Sequence, residues 1–452
     1  MRLFATLIHR WAGLFIALFL VVSGLTGAVI SWDHEIDEWL NSDLYKIESQ
    51  GEFRSPIDLI KVVEADDPHA QVVYVPLHFE EGHAATYLVQ PRIDPATGKP
   101  YPLDYTQVFI DPVTAAIVGK RDAGEVSLSR RALMPFLRDL HESLHVPAFW
   151  GSDRWGYQFM GIVALVWLLD SFVALYLTLP LRRRQAGAAS GGAADGDGPA
   201  PSNGRNWWQR WKPSWRIRWG AGGYKLNFDL HRAAGLWVWG VILVIAFTSF
   251  SLNLYREVFF PAMSLVSQVT PGPFETRPRS PLNQPIEPRI GFGQALELSR
   301  EQAGRQNWER PPGGIFYARN LGFYSTAFFH PGADHGSGGM AIANMYFDGS
   351  DGRYLGDYLP WKGTAADIFV QLQFPLHSGR ILGFPGRVMM SLMGLVVAML
   401  SITGIVIWAR KRRARKQAAW RDASSPVAGR NAALPHATPS KRHDAPHAGG
   451  GS

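Results

Sequence analysis

Apolar positions are spread unevenly along the chain. Four runs, roughly Trp11–Trp32, Trp155–Pro180, Ala233–Leu254 and Pro385–Trp408, are almost free of charge. Each is long enough to cross a hydrocarbon core, which takes about 20 residues at ~1.5 Å rise per residue. The stretches after the first and third runs return to the shorter periods of water-soluble structure. In the earlier one, Pro56–Ala65 has helical spacing, Val72–His78 and Ala85–Gln90 read as strands, and Gln107–Ile110 leads into Asp111-Pro112. In the later one, Phe292–Arg300 reads as a helix. Gly314–Ala318, Tyr324–Phe329 and Ala343–Phe347 read as strands, the last running into Asp348-Gly349-Ser350. Both final strands end in an Asp-initiated turn and resume with small apolar residues, a hairpin signature. The pattern predicts an α-helical membrane protein with α+β domains outside the bilayer.

Charge supplies the orientation. Arg2 and Arg10 open the first run, Arg182–Arg184 close the second, Arg205 to Lys225 precede the third and Arg410 to Lys416 follow the fourth. All fall on one side of the membrane, which the positive-inside rule makes the cytoplasm. This puts the protein in a bacterial inner membrane as a multi-pass chain with both termini cytoplasmic. The net charge of +7 is then a topology signal. Its basic residues flank spans instead of forming a folded patch, so no nucleic-acid partner is expected. The first run is too long for a signal-peptide core and reads as a retained anchor. The divisions are helix 1 over 1–34, a periplasmic domain over 35–150, helix 2 over 151–181 and a partly disordered cytoplasmic loop over 182–228. Helix 3 over 229–255, a second periplasmic domain over 256–384, helix 4 over 385–409 and a disordered tail over 410–452 complete the chain. Trp207, Trp211, Trp215 and Trp219 recur every fourth residue among Arg and Lys, as suits a segment lying at lipid headgroup level.

The chain also reads as two copies of one design. His9-Arg10-Trp11-Ala12-Gly13-Leu14 parallels His231-Arg232-Ala233-Ala234-Gly235-Leu236, and Glu35 and Glu257 follow after equal intervals. Leu140 to His145 parallels Leu372 to His377, with Gly151 and Gly383 equally far beyond. The expected architecture is therefore four transmembrane helices in two parallel repeats, each carrying a periplasmic domain.

The repeat pairs the histidines. His9 matches His231 at the cytoplasmic ends of helices 1 and 3, and His145 matches His377 at the outer entries of helices 2 and 4. Two imidazoles facing one another across a bundle are what bis-His ligation of a flat haem requires. The chain has no cysteine. This excludes iron–sulfur clusters and covalently attached haem, so any haem is held non-covalently. His141 and His34 complicate the outer site. His141 precedes His145 by one helical turn, and His34 lies about 37 Å along a helix from His9, an uncomfortable distance for electron transfer. The blander readings are lipid phosphate or helix capping for the His-Arg pairs and a divalent metal at His141 and His145. His69, His78, His83, His330 and His335 read as surface residues. Asp170 is the one acidic residue well inside a run.

These marks resemble the PepSY-associated transmembrane family. They are His9-Arg10-Trp11-Ala12-Gly13-Leu14, Gly24-Leu25-Thr26-Gly27, His34-Glu35-Ile36-Asp37, Val108-Phe109-Ile110-Asp111-Pro112, Leu226 to Arg232, and Thr403-Gly404-Ile405-Val406-Ile407-Trp408. The resemblance implies iron-regulated inner-membrane proteins with PepSY-like periplasmic domains, some of them b-haem ferric-siderophore reductases. It implies haem b, two being expected, with His9 and His231 as candidate ligands of one and the outer ligands left open among His145, His377, His34 and His141. It also implies electrons from a quinol or a cytoplasmic donor, and a ferric siderophore as periplasmic substrate. No Gly-x-Gly-x-x-Gly follows a strand, so the electron donor is external. Two other readings follow from the same residues. One is a non-enzymatic periplasmic sensor or protease inhibitor. The other is an iron or siderophore transport component, for which Asp170 is the sole buried-carboxylate candidate.

Overall fold

The computed structural model describes residues 1–180, 206–281, 283–332 and 340–423. The arginines at 182–184, the loop over Gln185–Gly204, His335 and the tail beyond Ala423 lie outside the described residues. The chain divides into two compact units, Met1–Gly404 and Ile405–Ser452.

The first unit is a helical bundle under an antiparallel sheet. Helix α1 is Arg2–Ile30, α2 is Asp33–Leu40 and α3 is Pro56–Asp66. Strands β1 (Ala70–Pro76), β2 (Ala85–Pro91), β3 (Gln107–Ile110) and β4 (Ile117–Arg121) follow. Then come α4 (Leu133–Ser143), α5 (Trp155–Thr178), α6 (Gly223–Trp237) and α7 (Trp239–Asn253). After them are α8 (Phe292–Arg305), β5 (Pro312–Ala318), β6 (Phe323–Phe328), β7 (Ala343–Asp348) and β8 (Tyr354–Tyr358). Finally α9 is Gln373–Ser378 and α10 is Gly383–Ala423.

Helices α1, α5 and α10 are each long and apolar enough to cross a membrane. A fourth span is counted if α6 and α7, bent by 73° at Val238, are taken as one. Their outward faces carry Leu18, Leu25, Ile162, Leu169, Val244 and Leu392, all exposed. So much apolar surface is stable only against lipid. Inward, Ile16, Leu20, Val163 and Val397 form one cluster, and Ile242, Ile245 and Met393 another. Apolar burial adds little between helices in lipid, so close packing of small residues matters more. Gly24 and Gly394 supply it: a Cβ on either would lie 2.6 or 2.3 Å from the other's carbonyl oxygen.

All eight strands form one sheet, ordered β4-β3-β2-β1-β5-β6-β7-β8. Where the sequence reads two separate domains, β1 and β5 pair antiparallel at the centre, Tyr74 opposite Phe316 and Pro76 opposite Gly314. Arg319 fastens this seam by donating to the Pro91 carbonyl (2.8 Å) and to Glu287 (2.8 Å). Leu59 and Val63 of α3, and Ala295 of α8, cover the sheet over Tyr87, Ile110, Ile315 and Tyr324. Asp111 and Asp348 cap their turns as expected, accepting from Val113 N and Ser350 N at 2.8 Å each.

Asp37 of α2 and Arg121 of β4 tie the bundle to the sheet. They pair at 2.8 Å with side chains only 10% and 4% exposed. Tyr45 and Asn41 also donate to Asp37, and Arg121 donates to Gln107. Removing one partner of such a pair strands a buried charge. Arg121→Ala is therefore expected to cost about 3–5 kcal/mol, read as a lowered denaturation midpoint of the purified protein; an unshifted midpoint would mean that the pair is dispensable.

Trp207, Trp211 and Trp215 meet ring to ring at 5.1 Å steps, tilted and then edge-on, and Trp211 donates to Thr178 at the end of α5. In the second unit, the described chain from Ile405 is helical to Ala423 and not disordered from Arg410 onward. Arg413 to Ala419 are nearly all strong helix formers, which accounts for the difference.

Candidate functional site

Two pairs of imidazoles face one another inside the bundle. The rings of His9 on α1 and His231 on α6 have centroids 6.1 Å apart at 49°. The rings of His141 on α4 and His377 on α9 are 6.2 Å apart at the same angle. A metal held between two imidazole nitrogens at about 2.1 Å each leaves the ring centres about 6 Å apart. Both pairs meet that spacing.

Hydrogen bonding decides which nitrogen is free. His141 Nδ1 donates to the Ser23 carbonyl at 2.9 Å and lies 3.3 Å from Thr26 Oγ1. His231 Nδ1 donates to the Leu400 carbonyl at 2.9 Å and lies 3.1 Å from Thr403 Oγ1. His9 Nδ1 meets both oxygens of Asp170, at 2.9 and 3.1 Å. His377 Nδ1 lies 3.2 Å from Thr248 Oγ1, whose own proton goes to the Val244 carbonyl. Every one of these partners accepts, so Nδ1 carries the proton in all four rings. In the neutral ring this leaves Nε2 as the atom that can bind a metal. A ring-nitrogen ligand fixed by an outer hydrogen bond is the usual form of a metal-binding histidine.

Glycine makes room for the rings. A Cβ on Gly27 would stand 2.8 Å from His141 Cε1, and one on Gly404 would stand 3.1 Å from His231 Cε1. The two seats share one local sequence logic. A carbonyl, then a threonine three residues on, then a glycine recur as Ser23, Thr26, Gly27 and as Leu400, Thr403, Gly404. His231 itself lies in a π-turn, Leu230–Ala234, a widened turn that often marks function.

The remaining predicted residues lie elsewhere. His145 does not face His377; His141 takes that place. Helix α4 ends at Ser143, and Leu144 and His145 both have φ of 54°, so the chain turns before His145 can share the face of His141. The His145 ring packs on Phe136 at 5.5 Å, with Nε2 3.8 Å from Asp139. His34 stands edge-on to Tyr45 at 6.4 Å, with Nε2 3.9 Å from Glu38. The sequence does not mark Asp170, Thr248 or the two Thr-Gly seats as Nδ1 acceptors; it offers Asp170 only as a transport carboxylate. Spacing carries a signal for one of them: Thr248 follows His231 by the interval that separates Thr26 from His9.

The outer pair opens on a cavity of about 1070 Å³, which runs from Leu20, Trp167 and Val397 in the bundle to Tyr74 and Pro76 of the sheet. That exceeds the usual ligand pocket of roughly 300–1,000 Å³. Its polar lining includes His34, Arg138, Glu142 and Arg380. Burial raises the Glu142 carboxyl above its ordinary range, against the pull of nearby Arg138. Among the described residues no cluster of three His, Cys, Asp or Glu forms a bare-ion site. The outer pair borders the cavity, and opposed imidazoles at this spacing fit a flat macrocycle, which brings its own equatorial donors.

No curated protein matches the chain. The PepSY-associated TM region family matches residues 6–411. That stretch takes in every paired imidazole and every Nδ1 acceptor, and the chain is a membrane protein belonging to the PepSY-associated TM region family.

Proposed function

We propose that the chain is an inner-membrane b-haem protein that reduces ferric siderophore on the periplasmic side of the bilayer. The observation that carries this reading is the twofold occurrence of one imidazole geometry, 6.1 and 6.2 Å at 49°, at two depths of the bundle. His9 and His231 would hold one haem, and His141 and His377 the other. Haem so held supplies one-electron chemistry between Fe(III) and Fe(II).

The chain's own part is to position and seal. Thr26 and the Ser23 carbonyl orient His141; Thr248 orients His377; Thr403 and the Leu400 carbonyl orient His231. The two-repeat reading is supported by these contacts. Thr26 and Thr248 stand at matching places after His9 and His231, and each seats the outer histidine of its own half. In this arrangement α6 and α7 count as one broken span, giving four spans with both termini cytoplasmic, as the flanking arginines and lysines favour. The sheet and the cavity mouth then face the periplasm. A ferric siderophore entering beside Arg138, His34 and Arg380 would gain one electron. Fe(II) is held far more weakly than Fe(III) by hard oxygen donors, so reduction frees the metal. The electron comes from a quinol or a cytoplasmic donor.

The depth of the outer pair favours this reading. The His141 ring is seated at Ser23, 14 residues from His9, about 21 Å along α1 against about 37 Å for His34. Asp170, the one carboxylate that favoured a transport reading, is engaged by His9.

The test is a reduced-minus-oxidised absorption spectrum of the detergent-purified protein, with haem counted per chain. Two b-type haems are expected. A colourless protein from haem-replete cells would discard the reading and leave a sensor or protease-inhibitor role for the sheet. A second expectation concerns the seats. Gly27→Ala keeps every histidine but drives a methyl group against His141, and it should weaken retention of the outer haem by about 10–100-fold. Gly404→Ala, with more room, should do less to the inner haem. Equal haem retention in wild type and Gly27→Ala would count against the seat.

A further inference from the structure

Three of the four paired imidazoles give their Nδ1 proton to neutral acceptors. His141 and His231 use a backbone carbonyl and a threonine hydroxyl, and His377 uses Thr248, with Ser249 Oγ at 3.5 Å. His9 differs: its partner is the carboxylate of Asp170, with both oxygens within 3.1 Å of Nδ1. Asp170 is 6% exposed and sits within an apolar run of α5, Val166 to Ala174, that holds no other charge. A buried anion in such a place is costly unless a positive charge balances it. Its position is also informative. On the other side of the inner pair, Thr403 serves His231 where Asp170 serves His9. The inner site is thus oriented by a carbonyl, a hydroxyl and a carboxylate, while the outer site has hydroxyls and a carbonyl only.

We propose that Asp170 is a positioning residue that lowers the reduction potential of the inner site below that of the outer site, and so sets the direction of electron flow towards the periplasm. The inference rests on the haem reading above. A bis-imidazole haem iron bears one net positive charge when ferric and none when ferrous. A carboxylate one imidazole away offsets that charge in the ferric state and loses its counter-charge on reduction. It also draws on the Nδ1 proton and makes the ring a stronger electron donor to the metal. Both effects favour the ferric state. The outer pair has no such anion at Nδ1, so its ferrous state is relatively favoured. With both haems bound, an electron delivered to the inner site would then be favoured to move to the outer one.

The experiment is a potentiometric titration of the full-length protein in detergent, following the haem absorption bands. The unmodified chain should show two one-electron steps differing by at least tenfold in equilibrium constant, about 59 mV. The step that vanishes in His231→Ala should be the lower. Asp170→Asn should raise that lower step by about tenfold or more and leave the upper step unmoved, while Asp170→Glu should stay near wild type. If Asp170→Asn loses the inner haem, Asp170→Thr carries the same comparison, because a hydroxyl already serves His231. Two haems titrating together in the unmodified chain, a lower step assigned to the outer pair, or an unmoved lower step in a haem-replete Asp170 variant would each overturn the inference. A protein without haem would overturn the haem reading itself, a result distinct from these.

Discussion

His377→Ala is expected to halve the haem content of the purified protein and to abolish reduction of a ferric siderophore, while the chain still inserts into the membrane. The geometry makes the expectation specific. His377 faces His141 at 6.2 Å, and its Nδ1 is committed to Thr248, so only Nε2 is available to a metal. With that ring gone, the open side of the site is the large cavity, whose lining near His377 comes from Phe374, Ser378 and Met390 and includes no second imidazole on that helix. Loss of a direct ligand should exceed the about 10–100-fold that an outer partner costs. His141→Ala should do the same. His145→Ala and His34→Ala should keep both haems, because His145 packs on Phe136 and His34 meets Tyr45 and Glu38, away from the two imidazole pairs. Haem per chain, measured after denaturation, separates the cases. Two haems retained in His377→Ala, or one lost in His145→Ala, would require a different outer site.

That contrast also shows how far a sequence can be read. The soluble helices and the strand segments are local properties, and they appear in the structure close to their expected bounds: Phe292–Arg305 for the second soluble helix, Ala343–Asp348 for the strand that enters its hairpin. The inner histidines were legible because His9 and His231 each stand in the same short motif. The outer pair was not, for a physical reason. Aligning Leu140–His145 with Leu372–His377 assumes the same helix in both, yet α4 stops at Ser143 in a left-handed turn while α9 carries His377 to its last turn. A one-turn offset therefore exchanges His145 for His141.

Long-range features were equally silent. Nothing local in β1 or β5 states that the two should pair, because a free strand edge looks the same whether it meets solvent or a partner. The bend at Val238 has no proline to announce it. Trp237 is held to the Trp215 carbonyl and Trp239 to the Ser171 carbonyl, so contacts on two different segments draw the helix apart. Such bends arise from tertiary packing, which propensity does not record. The break is useful: it lets α6 bring His231 to His9 while α7 carries Thr248 to His377.

His231→Ala should produce the complementary loss: the inner haem disappears and the outer one stays. His231 is the ring opposite His9, and its seat on Leu400, Thr403 and Gly404 belongs to α10, far along that helix from Gly394, where α10 crosses α1 beside the outer seat. Ten residues of helix, about 15 Å of rise, separate Gly394 from Gly404, so the outer pair need not move. The variant should hold one b-type haem per chain. A small soluble reductant acting from the cavity side should still reduce it at the wild-type rate, whereas reduction by a quinol or a cytoplasmic donor should fall by more than about 100-fold, beyond the usual effect of an outer partner. His9→Ala should behave alike. The split between the two reductants is the informative readout, since a merely unstable protein would lose both activities and both haems. Should His231→Ala keep two haems, the inner pair would be structural. The route of electron entry would then have to be sought at the cavity alone.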